Sequence, residues 1–185
     1  MSKEFGAVMQ HGYIVSDIEK TAMEWVERVG AGPFYILDRN VMDDYHYRGK
    51  RMTIELKLAF GYWGPVQVEL IQQINDADSF YVEAARTGID KLNHLACTVS
   101  GLDALLERRK LKDRVIHSGR MDSGVSFVYL ENYAPGGLHL ELIDAPQDTL
   151  MAFTGMEAIA RGWDGSRPLR PMQAIGEDLA SLKRA

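Results

Sequence analysis

The feature that most constrains the fold of this 185-residue chain is an internal repeat. Residues 66–71 are Val-Gln-Val-Glu-Leu-Ile, and residues 138–143 are Leu-His-Leu-Glu-Leu-Ile. An apolar segment that contains a histidine precedes each of them, with His11 in the first half and His94 in the second. Because each half has a histidine early and a glutamate late, the pattern predicts a duplicated module whose two copies share one metal site.

Hydrophobic periodicity predicts the same order of elements, strand–helix–strand–strand–strand, in both halves. In the first half, the predicted elements span residues 7–15, 18–29, 34–38, 51–60 and 66–73, with a polar loop at 39–50. In the second half, they span residues 92–99, 102–110, 114–117, 125–131 and 138–144. The sequence therefore predicts an α+β fold that contains two βαβββ modules.

The chain divides into four expected segments. They are the first module at 1–75, a connecting helix at 76–91, the second module at 92–145 and a helical C-terminal extension at 146–185. Within the extension, helices are predicted near 147–161 and 171–183. The extension has no counterpart in the repeat, and the sequence leaves three roles open for it: covering the sheet, clamping a dimer or capping the pocket.

Composition argues against several classes of protein. The net charge of −5 and the lack of a basic stripe argue against nucleic acid as a partner. No run approaches the roughly 18 apolar residues of a membrane helix, and the N-terminal residues lack the apolar stretch of a signal peptide. The single cysteine excludes an internal disulfide, as is typical of a reducing cytoplasm. We therefore expect a cytoplasmic protein that binds neither nucleic acid nor membrane.

Alternation of side chains along the strands separates an apolar face from a mixed face in each module. Glu69 and Glu141 lie on the mixed face of their strands. His94 lies on the corresponding face of the strand at 92–99, and His11 lies with Tyr13 on that of the strand at 7–15. The opposite faces are apolar and are predicted to pack under helices. The mixed faces therefore predict the lining of a pocket.

The strand at 51–60 is assigned to faces by aligning the two halves without a gap, which pairs Glu55 with Phe127. Glu55 is then expected in the cavity. The side chains predicted to pack under the helices are Met52, Ile54, Leu56 and Leu58. The side chains predicted to contact the substrate are Tyr13, Lys57, Phe127 and Tyr129.

Two histidines and two glutamates suit a borderline divalent cation such as Zn, Ni, Co, Mn or Fe(II). The four residues are His11, Glu69, His94 and Glu141. A single strand histidine is more often a packed or solvated residue than a ligand, so this hypothesis depends on the repetition. Four protein ligands on a six-coordinate ion would leave two positions for water or substrate.

These residues resemble the vicinal oxygen chelate superfamily, which includes glyoxalase I, methylmalonyl-CoA epimerase, extradiol dioxygenases and bleomycin-resistance proteins. The resemblance covers about residues 7–145. It is carried by His11, by Val-Glu-Leu-Ile at 68–71, by Asn93-His94 and by Pro135-Gly136-Gly137-Leu-His-Leu-Glu141. The segment 69–76 followed by Asn93-His94 is particularly similar to the epimerases, which have glutamine where this chain has Glu69. A glutamate at that position resembles glyoxalase I instead.

The resemblance implies that the paired modules form an open, cup-shaped mixed sheet around one divalent ion. It implies His11, Glu69, His94 and Glu141 as ligands. It also implies a carboxylate base on the strand at 51–60, where Glu55 is the matching acidic residue. Because cups in this family often come from dimers, a homodimer is expected.

Three functions compete at this point. The first is a metal-dependent isomerase, epimerase or lyase that forms a metal-stabilised enolate, with Glu55 or a detaching glutamate ligand such as Glu141 as the base. Aromatic residues in the loops at 34–50 and 60–64 favour a bulky apolar or aromatic carbonyl compound as its substrate. The second is an extradiol dioxygenase, against which the fourth ligand Glu69 argues. The third is a metal-free protein that sequesters a small molecule.

Overall fold

The computed structural model describes residues 5–182, and this range forms nine strands, five α-helices and two short 3-10 helices, at Lys112–Arg114 and Met172–Ala174. The strands are β1 (Gln10–Ile14), β2 (Phe34–Tyr47), β3 (Lys50–Trp63), β4 (Val66–Gln73), β5 (Lys91–Val99), β6 (Val115–Arg120), β7 (Ser126–Ala134), β8 (Leu138–Asp144) and β9 (Leu169–Pro171). The helices are α1 (Ile18–Val29), α2 (Phe80–Gly88), α3 (Leu102–Arg109), α4 (Gln147–Arg161) and α5 (Ile175–Leu182).

Eight of the strands close into a ring that surrounds the interior of the protein. Their order is β3-β4-β1-β5-β8-β7-β6-β2, and β2 pairs again with β3. The β1–β4 and β5–β8 pairs are parallel and the other pairs of the ring are antiparallel. The predicted α+β fold with paired βαβββ modules and a mixed sheet is confirmed. The wall of the cup is continuous because β2 and β6, from different halves, pair over residues 44–47 and 117–120.

Helix α1 covers the outer face of the first half, and its bounds match the predicted helix at 18–29. The Asp17 side chain accepts a hydrogen bond from the backbone nitrogen of Lys20 at 2.9 Å, which satisfies one of the free donors at the helix start. Gly30, at φ 69°, ends the helix in the left-handed conformation that glycine adopts without strain. Ile18 and Ala22 are buried against β4. Helix α3 covers the second half in the same way.

The polar loop predicted at 39–50 is wrong, because this segment belongs to β2 and to its hairpin with β3. The turn residues Arg48 and Gly49 both have positive φ, as in the two-residue turns whose twist suits a hairpin. Along β2, Met42, Tyr45 and Tyr47 are buried while their neighbours are exposed or partly exposed. The polarity that suggested a loop is therefore the solvent face of a long strand.

The C-terminal extension folds onto one end of the ring. Helix α4 has the predicted bounds, and Met156 and Ile159 pack there against Tyr35 and Tyr62 of the first half. The added strand β9 pairs in parallel with the start of β2. Side chains of α4 reach the interior of the ring, so the extension caps the pocket. None of the described helices is long and apolar enough to cross a membrane.

Candidate metal and substrate site

The strand ring and α4 enclose a cavity of about 510 Å³. Its apolar lining consists of Leu37, Met42, Leu56, Leu58, Phe60, Ile71, Met121, Val125, Phe127, Ile143, Pro146, Ala152, Phe153, Met156 and Met172. Its polar lining consists of Gln10, Glu69, Tyr81, Ser123, Tyr129, Glu141, Asp148 and Thr149. None of the described lining residues is a lysine or an arginine. The cavity therefore suits an apolar body and offers no side-chain cation to an anionic group.

Glu69, His94 and Glu141 meet at the wall of this cavity. The Nε2 atom of His94 lies 3.4 Å from Oε2 of Glu69 and 3.2 Å from Oε2 of Glu141. Each of the three offers one possible ligand atom, and these atoms lie within 4.8 Å of one another. His94 is fully buried, and the two glutamates are 8% and 5% exposed. Three ligand types of a divalent cation are therefore held together away from water.

The register of four neighbouring strands produces this meeting. Gly12 of β1 lies opposite Glu69 on one side and opposite His94 on the other. Ala96 of β5 lies opposite Glu141. A Cβ atom at position 12 would lie 1.8 Å from Cε1 of His94, so the imidazole occupies the space that a side chain would fill. The site depends on a glycine at this position because any side chain would displace the histidine.

Burial and charge act against each other in this cluster. Burial lowers the pKa of the His94 imidazole, but the interactions with Glu141 and Glu69 outweigh it and raise this pKa to about 9. Burial raises the pKa of the Glu69 carboxyl, and the charge of Glu141 adds to the rise. Oε2 of each glutamate lies beside Nε2 of the same imidazole and has no further hydrogen-bond partner. One imidazole thus serves two buried carboxyl groups, so the arrangement fits a bound divalent cation.

Further polar contacts orient the His94 imidazole. Its Nδ1 atom lies 3.2 Å from Oδ1 of Asn93, which fits an Nδ1–H donor and leaves Nε2 free to bind an ion. The hydroxyl of Tyr129 lies 3.3 Å from the same Nε2. Tyr129 is also hydrogen-bonded to Tyr81 on α2. Two phenols therefore stand beside the face of the cluster that opens to the cavity.

Comparison with known proteins identifies the family of this chain. Residues 9–129 match the family model described as the glyoxalase/bleomycin resistance protein/dioxygenase superfamily. The chain belongs to this superfamily. Its predicted assignment to the vicinal oxygen chelate proteins is confirmed. No curated protein sequence matches the chain at a significant level.

Solved structures share the fold of this superfamily member at low sequence identity. A methylmalonyl-CoA epimerase from Mycobacterium tuberculosis is 17% identical with a TM-score of 0.57, covering 82% of this chain and 96% of that one. A hypothetical protein from Bacillus halodurans C-125 is 14% identical with a TM-score of 0.54, covering 76% and 95%. A variant of Streptomyces coelicolor methylmalonyl-CoA epimerase in complex with 2-nitronate-propionyl-CoA is 14% identical with a TM-score of 0.52, covering 77% and 96%. At these identities the likeness shows the fold alone.

The structure does not bring His11 and Tyr13 to the cluster of Glu69, His94 and Glu141. His11 lies opposite Val68 and Leu95, whose side chains pack on the helix-covered side of the sheet. The ring of Tyr13 packs 5.4 Å from that of Trp25 on α1. Since side chains alternate along β1, the residues that face the site are the even-numbered ones, and His11 is one position out of phase.

The predicted face of the strand at 51–60 is wrong, and Glu55 and Lys57 lie outside the cavity. Glu55 accepts two hydrogen bonds from the Arg39 guanidinium, at 2.8 and 2.9 Å. Lys57 pairs with Asp38 at 3.1 Å and with Glu19 on α1. Both side chains are thus held in surface ion pairs, and the alternate residues Leu56 and Leu58 line the cavity instead.

The error follows from the ungapped alignment of the two halves. In β3, Phe60 lies opposite Glu69, whereas in β7 it is Tyr129 that lies opposite Glu141. The chain between the glutamate and the residue opposite it is thus three residues longer in the second hairpin than in the first. An odd shift moves every side chain to the other face. The same alignment placed Phe127 and Tyr129 in the cavity, and both side chains line it.

Sequence reasoning missed three kinds of lining residue. The first is Gln10, which is 1% exposed and lies two positions before Gly12. Because side chains alternate along β1, Gln10 is expected on the cavity face once Gly12 is known to lie there. The second is Tyr81, contributed by the connecting helix. The third is the set of α4 side chains such as Phe153, for which the repeat contains no signal because the extension lies outside it.

Proposed function

We propose that this protein is a divalent-metal-dependent isomerase, epimerase or lyase that acts on a bulky, uncharged, apolar or aromatic carbonyl compound. The observation that carries the proposal is the buried Glu69–His94–Glu141 cluster at the wall of an apolar cavity. A divalent ion bound there would polarise a substrate carbonyl oxygen and make the adjacent C–H more acidic.

The residues of the chain divide the remaining work. The apolar side chains of β3, β7 and α4 hold the body of the substrate and exclude water from the reacting atoms. Tyr129, close to Nε2 of His94, is placed to donate a hydrogen bond to a substrate oxygen beside the cluster. We do not assign the base to Glu55, because its carboxylate is held in an ion pair with Arg39 outside the cavity. The carboxylate of Glu141 is the proposed base, since it lies in the cavity within reach of a substrate bound there.

The donor set separates this proposal from dioxygenase chemistry. Extradiol-type and related iron sites use two histidines and one carboxylate. This cluster has one histidine and two carboxylates. Sequestration of an apolar ligand without turnover is the second candidate, because the lining of the cavity is mostly apolar. A cytoplasmic homodimer, as expected from the sequence, is proposed along with the enzyme.

The experiment combines metal content with proton exchange. We expect about one equivalent of a divalent metal by inductively coupled plasma mass spectrometry in the wild type, strong loss in Glu69→Ala and retention in Glu55→Ala, which removes a matched carboxylate outside the cavity. With uncharged apolar ketones in D₂O, the wild type should then catalyse deuterium uptake beside the carbonyl. Tight binding of such ketones by a metal-free protein without exchange would support sequestration instead. Loss of metal from Glu55→Ala alone would contradict the proposed site.

A further inference from the structure

We propose that Phe153 of α4, together with Phe60 of β3, selects substrates that carry an aromatic ring next to the reacting carbonyl. The proposal deepens the proposed function and rests on it, because that function places the carbonyl oxygen at the cluster of Glu69, His94 and Glu141. The arguments are the place of the ring pair Phe60–Phe153, the surface that its two rings leave open and the contacts that hold α4.

The ring pair lies beside the metal cluster. Phe60 lies opposite Glu69 in the antiparallel pairing of β3 and β4, and both side chains line the cavity. Side chains in such positions are direct neighbours on one face of a sheet. The centroid of the Phe153 ring lies 6.2 Å from that of Phe60, and the two ring planes form an angle of 36°. A group attached to a carbonyl carbon at the cluster therefore meets Phe60 first and Phe153 next.

These two rings differ from the other aromatic rings of the cavity in the surface that they leave open. The described lining contains five aromatic side chains. Tyr81, Phe127 and Tyr129 are at most 4% exposed, so other parts of the protein already cover their rings. Phe60 and Phe153 are only partly buried, although they line the cavity. A ligand ring can therefore pack on them in the stacked or edge-to-face arrangements that aromatic rings prefer and that a saturated ring does not reproduce.

Two contacts of α4 fix the position of Phe153. The hydroxyl of Tyr62 in the first half donates a hydrogen bond to the backbone carbonyl of Phe153 at 2.9 Å. On the face of α4 that holds Gly155, helix α5 packs so closely that a Cβ atom at this glycine would lie 2.6 Å from Cδ2 of Leu179. A ring that is held in place before the ligand binds loses little conformational freedom on binding, which favours selection of one ligand shape.

One face of α4 forms this part of the wall, and another face is open to solvent. The cavity is lined by Thr149, Ala152, Phe153 and Met156, which recur at the spacing of a single helix face. Met151 lies off this face and is 54% exposed, so it offers a control on the same helix. Because α4 has no counterpart in the internal repeat, the two modules alone would not supply this ring. The selection of an aromatic substrate is therefore a property that the C-terminal extension adds to the cavity.

The test compares the affinities of the zinc-loaded protein for acetophenone and cyclohexyl methyl ketone, two ketones of similar size, by titration followed with nuclear magnetic resonance. The wild type should prefer acetophenone. Phe153→Leu should lower this preference about 2- to 10-fold, because a pair of aromatic rings contributes about that factor beyond its buried area. Phe60→Leu should act in the same direction. Phe153→Tyr keeps the ring and should keep the preference, and Met151→Ala should leave it unchanged.

The outcomes separate this inference from the proposed function. An unchanged preference in a folded Phe153→Leu protein, or no preference in the wild type, would overturn the role of Phe153 and leave the proposed function intact. An equal loss of preference in Met151→Ala would also overturn it. A wild type that prefers acetophenone but takes up neither metal nor deuterium beside the carbonyl would overturn the proposed function and leave the ring pair as a ring-binding site. Thermal unfolding of each variant establishes that the affinities refer to folded protein.

Discussion

The two halves of the ring share an order of elements but contribute unequally to the site. The second half supplies His94, Glu141 and the aromatic wall of Phe127 and Tyr129. The first half supplies Glu69, and its own histidine, His11, faces the helix side. The difference has two origins. His11 is one position out of phase on β1, and the second hairpin is three residues longer than the first. A repeated sequence therefore predicts a repeated fold, whereas equivalence of side chains requires that the strand phases also agree.

The largest test of this inequality compares the two histidines. His94→Ala should abolish metal binding and lower the free energy of unfolding of the metal-free protein by about 3–5 kcal/mol, because Glu69 and Glu141 lose the cation buried between them. His11→Ala should keep the metal and cost about 1 kcal/mol or less. Urea denaturation and metal analysis of both variants check this. Equal effects in the two variants would show that the halves contribute equally.

The next test addresses the glycine that makes room for His94. Gly12→Ala should lower the free energy of unfolding by about 1–3 kcal/mol, because the new Cβ overlaps the imidazole. Metal affinity should fall strongly because the imidazole of His94 is displaced. Gly176→Ala is the matched control, since a Cβ there meets no heavy atom within 4 Å. Wild-type stability and affinity in Gly12→Ala would mean that the ring lies elsewhere.

The two halves also differ in their contacts with the C-terminal extension, which packs against and hydrogen-bonds to the first half. Asp178 of α5 accepts hydrogen bonds from Tyr35 of β2 and from Arg170 of β9, both at 2.8 Å. Asp178→Asn should therefore cost about 1.5 kcal/mol at neutral pH, as expected for hydrogen bonds to a charged group. Thermal unfolding monitored by circular dichroism measures the loss.

The contacts of Asp178 also predict that the free energy of unfolding depends on pH. Burial raises the pKa of the Asp178 carboxyl, but Tyr35 and Arg170 outweigh it and the net shift is downward. A lowered pKa stabilises the folded state above the unfolded value of about 3.9, and this stabilisation is lost as the pH falls through the folded value. The difference between wild type and Asp178→Asn should thus narrow as the pH falls from 5 to 2.5. A difference that widens would contradict the assignment.

The smallest expected effect concerns Glu55. Glu55→Gln breaks an ion pair with Arg39, whose side chain is 61% exposed, and exposed pairs contribute about 1 kcal/mol or less. Metal content and exchange activity should stay at wild-type levels. Loss of activity with unchanged stability and metal content would restore Glu55 as the base and would mean that the two halves are more alike than the register indicates.

Prediction from the sequence succeeded where a local pattern was strong. The bounds of α1, β4, β8 and α4 match the predicted ones, since capping residues and periodicity are local signals. The common face of Glu69 and Gln67, and that of Glu141 and Ile143, also follow from alternation within one strand. The sequence could not align the strands of one half with those of the other, because a hairpin that differs by three residues leaves no local trace.

The sequence by itself determined the class of fold and the presence of a carboxylate late in each half, because these depend on periodicity and spacing along the chain. The family followed from the resemblance of its motifs to known proteins. The tertiary structure alone decided which side chains share the cavity. It placed Gly12 rather than His11 beside His94, turned Glu55 outward and brought Gln10 and the α4 side chains inward. The physical reason is the two-residue period of strands: a shift of one residue, invisible in composition, moves a side chain from the cavity to the opposite face.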